Sequence, residues 1–401
     1  MKILLLNSVY REGSTGKIVG SLADSLRDQG HEVLTCYGLG RASIDEYSKK
    51  ICTRCEHIVN AKFVRFSGIP YGGLFLSNFR IEKIIRKFKP DIVHIHCING
   101  AIINVYSLLK FLAKNKQKTI LTLHAEIFHT AGCEHAFECE KWKEACHDCK
   151  TYVHKMFPCF TDRSRVSFQR MYDAINSFSQ EDLRITAVSP WLVKRVRQSF
   201  IMKQYDVEYV PNCVDTSVFH YRDSISLIPK EGYKKVLLFV TPYFSADENN
   251  IKGGAYLLKM AERMPNIKFL LVTGRMVSVL PSFPPNVQNW GRVNSQEELA
   301  QLYSEADVTL LFSKRETFSM VTAESLCCGT PVIGFKAGGP ESIALENCTK
   351  FFEYGNLDEM ISATSQEWEV DKKEISSNAK NKYSQETMRD SFCEIYKSLY
   401  K

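Results

Sequence analysis

The stretch Val308–Glu341, VTLLFSKRETFSMVTAESLCCGTPVIGFKAGGPE, decides how the rest of the chain is read. Val308–Phe312 is a short apolar run of the kind that forms a buried strand. A polar loop follows, and Phe318–Cys328 reads as a helix. Pro331–Ile333 then reads as a further short strand, and glycine-rich turns lie at Gly329 and at Gly338–Gly339. Two glutamates, Glu316 and Glu324, stand eight apart around the helix start. Free backbone N–H groups at such a start favour an anion. The helix dipole also favours a carboxylate there with no ligand at all, so the pair alone does not define a site.

Working outward, the same alternation recurs. Lys2–Leu6, His31–Tyr37, Asp91–Cys97, Lys118–His124, Arg184–Ser189 and Val207–Val210 read as strands. Ser14–Gln29 reads as a helix, with Ile18, Leu22 and Leu26 on one face. Ile81–Phe88 and Pro190–Ser199 are further helices, the second opened by proline. Phe219–Gly232 lacks a pattern and reads as a linker. The alternation restarts with strands Lys235–Thr241 and Phe269–Thr273 and helices Ala255–Arg263 and Ser295–Glu305. Ser295 and Glu298 have capping-box spacing. Strand–helix alternation implies parallel sheets covered by helices. The expected fold class is α/β, with two Rossmann-like doubly wound domains facing a central cleft. Ligands then belong at the carboxyl ends of the strands.

At 401 residues the chain exceeds one ordinary core, which also points to two domains. A net charge of +7 suits anionic substrates or a membrane face. It is not the dense basic run of a nucleic-acid binder, and no nucleic acid is expected. The N-terminus, MKILLLNSVYREG, carries an apolar run of only about five residues, shorter than a signal peptide or membrane span requires. The expectation is a cytoplasmic protein that touches, at most, the inner face of the cell membrane. In that compartment the 14 cysteines are expected as thiols or metal ligands, not disulfides.

The pattern S-x-x-E-T-F-S-x-V-x-x-E-x-L-x-x-G-x-P-V-I-x-x-x-x-G-G-x-E, Ser313 to Glu341, resembles the donor-binding region of the retaining GT-B glycosyltransferases of family 4. Weaker matches extend the resemblance over most of the chain: MKILLLN with a glycine loop, KPDIVHIH, LTLH, AVSPWLVKRV, VPNCVD and WGRVNSQEELAQLYSEADV. The resemblance implies the GT-B fold, a nucleotide-diphosphate sugar donor, and a glycan or polyprenyl-linked glycan acceptor of surface polysaccharide synthesis. It implies Glu324 on the donor ribose and Glu316 on the donor sugar. Phe318 and Ser319 would offer backbone N–H groups, and the turn at Gly291–Val293, including Arg292 and Val293, would border the base. It implies an acceptor-binding domain over 1–218, a linker at 219–234, a nucleotide-sugar domain over 235–383, and a last helix over 384–401 that crosses back to the first domain.

Three further motifs are read on their residues and then through the resemblance. Gly13-Ser14-Thr15-Gly16-Lys17 follows a strand and opens a helix, so its amides can face a phosphate. Its spacing is neither that of a P-loop nor that of a dinucleotide fingerprint, and an ordinary helix-opening turn fits equally well. The resemblance places Gly13 and Gly16 beside the donor diphosphate. Lys252, in ENNIKGG, reads as a solvated lysine, and through the resemblance as the ammonium that meets the diphosphate as it gains charge. Ile251 and Cys213 stand where the family commonly has arginine and glycine, and Thr241–Ser245 contains no arginine. Arg275 is the candidate substitute. His124 ends a strand, where histidine is often structural; the resemblance places it near the transferring sugar. Ala125-Glu126 follows where the family usually has aspartate, and His94 and His96, which end the preceding strand, are further candidates to face the cleft.

Cys133, Cys139, Cys146 and Cys149, within an insertion near 129–159, are spaced C-x5-C-x6-C-x2-C. Four thiolates suit a structural zinc, and free thiols suit the spacing as well. His135, His147 and Cys159 compete as ligands. Four ligands leave no open position, and no cofactor is expected for catalysis. Finally, RIEKIIRKFKP, Arg80 to Pro90, places Ile81, Ile84, Ile85 and Phe88 on one face and five cations on the rest. It reads as an ordinary surface helix or as a contact with anionic lipid. The expected function is sugar transfer by a retaining hexosyltransferase. A sugar-nucleotide epimerase on the same fold and a non-catalytic sugar-nucleotide-binding protein are the alternatives.

Overall fold

A computed structural model describes residues 1–40, 45–149, 159–223, 226–229, 231–277 and 282–400. The chain divides into two compact units. The first comprises Met1–Pro211 and Met388–Lys401; the second comprises Asn212–Thr387.

The first unit opens with β1 (Lys2–Asn7), α1 (Gly13–Asp28), β2 (Glu32–Tyr37), β3 (Ser48–Lys50), α2 (Arg54–Ser67) and α3 (Leu76–Phe88). It continues through β4 (Ile92–Ile95), α4 (Val105–Lys114), β5 (Thr119–Leu123), α5 (Ile127–Thr130), α6 (Ser164–Ile175), β6 (Leu183–Ala187), α7 (Pro190–Arg197) and β7 (Val207–Tyr209). The seven strands form one sheet in the order β3-β2-β1-β4-β5-β6-β7, and every pair is parallel. Ile3, Leu4, Leu5 and Leu6 are all fully buried. Successive side chains of a strand point to opposite faces, so both faces of the sheet are covered, as a parallel sheet requires. In register, Leu4 faces Leu34 on one side and Val93 on the other.

The second unit runs β8 (Val236–Thr241), α8 (Gly254–Arg263), β9 (Lys268–Thr273), β10 (Val287–Gly291), α9 (Gln296–Glu305), β11 (Val308–Leu311), α10 (Met320–Cys327), β12 (Val332–Phe335) and α11 (Gly339–Ile343). Then come β13 (Thr349–Phe352), α12 (Leu357–Ser365), α13 (Lys372–Tyr383) and α14 (Gln385–Tyr400), the last of which passes into the first unit. Its sheet has the order β10-β9-β8-β11-β12-β13, again all parallel. In both sheets the strand order reverses once, at β1/β4 and at β8/β11. Loops leaving the carboxyl ends of those two pairs diverge, which opens a crevice for a ligand.

Several sequence expectations shift. The division falls after Pro211, where 218 was expected. Of the stretch 219–234, read as a linker, the described residues 219–223, 226–229 and 231–234 group with the second unit. Phe219 packs edge-on against Tyr303, and the Leu227 and Ile228 amides donate to the Glu305 carboxylate. α3 starts five residues before Ile81 because buried Asn78 exchanges hydrogen bonds with the Asn104 backbone. Ser295 caps α9 by accepting from the Glu298 amide, but the Glu298 carboxylate accepts from the Trp290 indole instead of closing the box. Among the described residues, no helix is long and apolar enough to cross a membrane.

Candidate active site

In the second unit the two strands flanking the reversal, β8 and β11, each lead into a loop that carries expected site residues: Lys252 after β8, and Glu316, Phe318 and Ser319 after β11. The loop after β8 turns at Gly253, with φ +69°. A Cβ there would lie 2.4 Å from the Phe312 carbonyl oxygen, so only glycine lets this turn rest on the end of β11. The Lys314 amide donates to the Ile251 carbonyl at 2.8 Å and ties the two loops together. Lys252 thereby meets Glu316, 64 residues further along, with Nζ donating to Oε1 at 2.6 Å. Both side chains are about one-fifth exposed, at 22% and 21%.

The Glu316 backbone is clamped by the glycine turn of the opening stretch. Its N–H donates to the Ala337 carbonyl at 3.0 Å, and its own carbonyl accepts from Gly339 N–H at 2.9 Å. A Cβ at Gly339 would sit 2.4 Å from the Thr317 carbonyl carbon. The Glu341 carboxylate in turn accepts from the Ala337 and Gly338 amides. Ser319 has φ +86°, a region that side chains rarely adopt and that costs strain. Its hydroxyl caps α10 by accepting from Thr322 N–H at 3.2 Å. Phe318 is buried edge-on against Tyr383, so its ring belongs to the core.

Glu324 lies on α10 and accepts from the Tyr303 hydroxyl at 3.4 Å. Burial, followed by the nearby Glu324 charge, pushes the Tyr303 phenol well above its ordinary value, so it stays a proton donor. Arg292 and Val293 follow β10 at the sheet edge, with β9 and β8 between that strand and β11. The Arg275 carbonyl accepts from the Phe244 amide, and its guanidinium lies 5.8 Å from the centre of the Tyr243 ring. Arg275 therefore borders the arginine-free loop after β8.

In the first unit Gly13 has φ +63° and opens α1. A Cβ at Gly16 would come within 3.0 Å of the Val9 side chain. Asn7 holds the loop: its amide donates to the Val9 carbonyl, and its oxygen accepts from Cys97 N–H. Glu12, at the cap position of α1, makes no side-chain cap.

His124 follows β5, with Nε2 3.1 Å from His96 Nδ1. His96 stacks on His94 at 3.9 Å. His94 is fixed at both ring nitrogens, by the Tyr396 and Thr122 hydroxyls, each at 2.7 Å. Burial, then neighbouring imidazoles, pushes His94 and His96 well below their ordinary values. Both are neutral core residues, which corrects the expectation that they line the ligand space. Only His124 of the three is partly open.

Glu126, two residues on, turns inward and is fully buried. It takes the Arg195 Nε–H at 2.5 Å and the Ala136 amide at 2.8 Å, with His129 Nε2 at 3.4 Å. Burial alone would raise its carboxyl. The hydrogen bond to His129 and the charges beside it outweigh that and hold the carboxyl at about 2. Arg195 stacks on Trp142, whose indole donates to the Cys139 carbonyl. This buried knot organises the cysteine segment, and nothing local in the sequence signalled it. Burial, and then the Cys133, Cys139 and Cys149 thiols, push the Cys146 thiol up. The Cys146 thiol is directed at the Thr130 carbonyl at 3.5 Å. Among the described residues, no group of three or more His, Cys, Asp or Glu side chains is disposed to hold a metal ion; residues 150–158 lie outside that description.

Against known proteins, residues 283–386 match the family model Glycosyl transferases group 1. The chain is 23% identical over 344 residues to the N-acetyl-alpha-D-glucosaminyl L-malate synthase of Bacillus anthracis, covering 82% of this chain and 78% of that protein. Its fold is similar to that of sucrose-phosphate synthase from Thermosynechococcus elongatus, with TM-score 0.68, 14% identity, and 100% and 99% of the two chains covered. It is also similar to HepE of Anabaena in complex with UDP-glucose, with TM-score 0.64, 14% identity, and 99% and 100% covered. These are GT-B structures, and the two doubly wound units form that fold. Residues 15–218, just over half of the chain, match the model Glycosyltransferase Family 4, and the chain belongs to that family.

Proposed function

We propose that the chain is a retaining glycosyltransferase that moves a hexosyl group from a nucleoside-diphosphate sugar to a glycan or polyprenyl-linked glycan acceptor. We place this work in surface polysaccharide synthesis at the inner face of the cell membrane. The observation that carries the reading is the Lys252–Glu316 pair, set at the strand-order reversal and beside the start of α10. A half-open ammonium held at that point meets the diphosphate as the C1–O bond breaks and charge develops on the leaving oxygen. Glu316, released from part of its ion pair, takes sugar hydroxyls. Glu324 accepts from the ribose diol, and the Phe318 and Ser319 amides face sugar or phosphate. Arg292 and Val293 border the base. In the first unit, His124 and the Gly13–Gly16 loop are the proposed ligand contacts.

The bond to the acceptor oxygen forms on the face from which the diphosphate leaves, and a diphosphate oxygen takes the acceptor proton. The protein's share is positioning and charge stabilisation. No metal ion is needed at the diphosphate. Cys133, Cys139, Cys146 and Cys149 stand apart from this chemistry; among the described residues they are not disposed as a metal site. Structural zinc there remains a proposal: about one zinc per chain purified without added metal would support it, and a metal-free, folded protein would sink it.

The test is thermal stability against a panel of nucleotide sugars for wild type and Glu324→Ala. A donor at a hundred times its dissociation constant stabilises by about 2.7 kcal/mol. A shift with one base class, lost in the variant, supports the reading. An unchanged shift in Glu324→Ala overturns its ribose role.

A further inference from the structure

Helix α2 is inside out. Its buried side chains are Glu56, Asn60 and Val64, two of the three polar. Glu56 caps the helix with Thr53 and takes Arg80 at 2.6 Å. Asn60 donates to the Ala101 carbonyl and accepts from Leu74 N–H. The helix is thus fastened to the unit through polar contacts. Its outward side carries Ile58, Val59, Phe63 and Phe66, all exposed, with Phe66 at 69%. An ordinary surface helix has the reverse arrangement.

The apolar surface continues beyond α2. The Phe63 ring lies against Gly72, and the Asn60–Leu74 bond brings the next segment alongside. There Phe75, Leu76 and Phe79 are exposed, Phe79 at 66%. Phe79, Lys83 and Lys87 form one stripe of α3 at four-residue spacing. Lys83, Lys87 and Lys49 line a pocket of about 460 Å³ together with the Lys2–Glu32 ion pair, Leu34 and Phe88.

Between Arg54 and Lys89 there are eight Lys and Arg residues against two acids. Both acids are already engaged, Glu56 with Arg80 and Glu82 with Arg86. The other six cations, including Lys62 and Arg65 among the α2 phenylalanines, have no acidic partner among the described residues. Protein interfaces are depleted in lysine at their centres. Exposed phenylalanine and leucine interleaved with unpaired Lys and Arg fit an anionic lipid interface, where the rings enter the acyl boundary and the cations meet headgroups.

We propose that this face, formed by the outer side of α2 with Phe75, Leu76 and Phe79, docks on an anionic lipid bilayer, and that the lysine-rimmed pocket receives an anionic headgroup. The proposal rests on the membrane-facing part of the reading above and does not depend on its donor chemistry. The sequence pointed to the basic run after Arg80; the structure assigns the apolar contact to α2 and the 74–79 segment, with that run as the electrostatic flank.

The full chain is sedimented with vesicles of phosphatidylcholine, alone or mixed with phosphatidylglycerol, at low and high salt. Wild type should pellet at least about fivefold more with the anionic vesicles, and salt should reverse this. Phe63→Ser/Phe66→Ser should abolish pelleting, and Lys83→Gln/Lys87→Gln should lower it by about fivefold or more. Each variant should keep the wild-type nucleotide-sugar thermal shift, which also shows that it is folded. No pelleting, equal pelleting on neutral vesicles, or a solution dimer that the phenylalanine variant converts to monomer would overturn the proposal. Vesicle binding without any nucleotide shift would instead sink the donor reading alone.

Discussion

The molecule has two carboxylate–cation pairs at strand ends that differ in access to water. Lys252–Glu316 in the second unit is about one-fifth exposed on both sides. Arg195–Glu126 in the first is sealed, at 13% and 0%. A half-open pair can exchange one partner for a ligand at little cost. A sealed pair cannot, because separation leaves a buried charge without compensation. Similar chemistry therefore suits the ligand capture proposed for one unit and the architecture of the other.

The sharpest way to break this contrast is Arg195→Ala. It should destabilise the first unit by about 3–5 kcal/mol in urea unfolding, since Glu126 would stay buried and unpaired. Nucleotide-sugar binding by the second unit should persist under native conditions. A stability loss of less than about 1 kcal/mol would show that the pair behaves as a surface pair.

Lys252→Ala should do the opposite. We expect kcat to fall by about 10²–10³-fold with a smaller change in KM, because the ammonium acts on charge that develops in the transition state. Unfolding should shift by no more than about 1 kcal/mol. Equal losses in binding and turnover would mean ground-state binding alone.

The third contrast is with pH. The Glu126 carboxyl is held at about 2 when folded, below its ordinary value of about 4.3. The unfolded chain therefore binds the proton more readily, and stability rises with pH in this window. The contribution is complete above about pH 5 and is lost as pH falls toward 2, up to about 3 kcal/mol. Glu126→Gln should flatten that part of the stability profile; an unchanged acid limb would contradict the assignment. Ser319→Ala is the smallest effect. Loss of the α10 cap should cost about 1 kcal/mol, read as a lower urea midpoint.

The two units were also unequally legible in the sequence. Around Glu316 and Glu324 the backbone dictates the residues: Gly253 and Gly339 rest on neighbouring backbone where a Cβ would collide, and these constraints leave a dense motif. Strands such as β1 and β11 show as apolar runs because both faces are covered. The outer strands β3, β10 and β13 do not, since each lies at or toward a sheet edge and carries polar residues. The Glu126 knot was not legible because its partners, His129, Ala136 and Arg195, are joined only by the fold. α2 was missed for a related reason: its apolar stripe faces outward, where a pattern reading expects the core.

The last helix gives the first unit a history. Met388, Phe392, Tyr396 and Leu399 of α14 are buried, and Tyr396 and Phe392 both contact His94. The seven-stranded sheet is complete by Tyr209, yet the packing around its central histidines waits for residues made nearly two hundred positions later. During synthesis the second unit can close on itself while the first still has an open flank of apolar surface beside β4. Only once α14 has left the ribosome can His94, and through it His96 and His124, be locked in place. A chaperone that binds transient apolar surface would find it there, on the half of the protein that was made first.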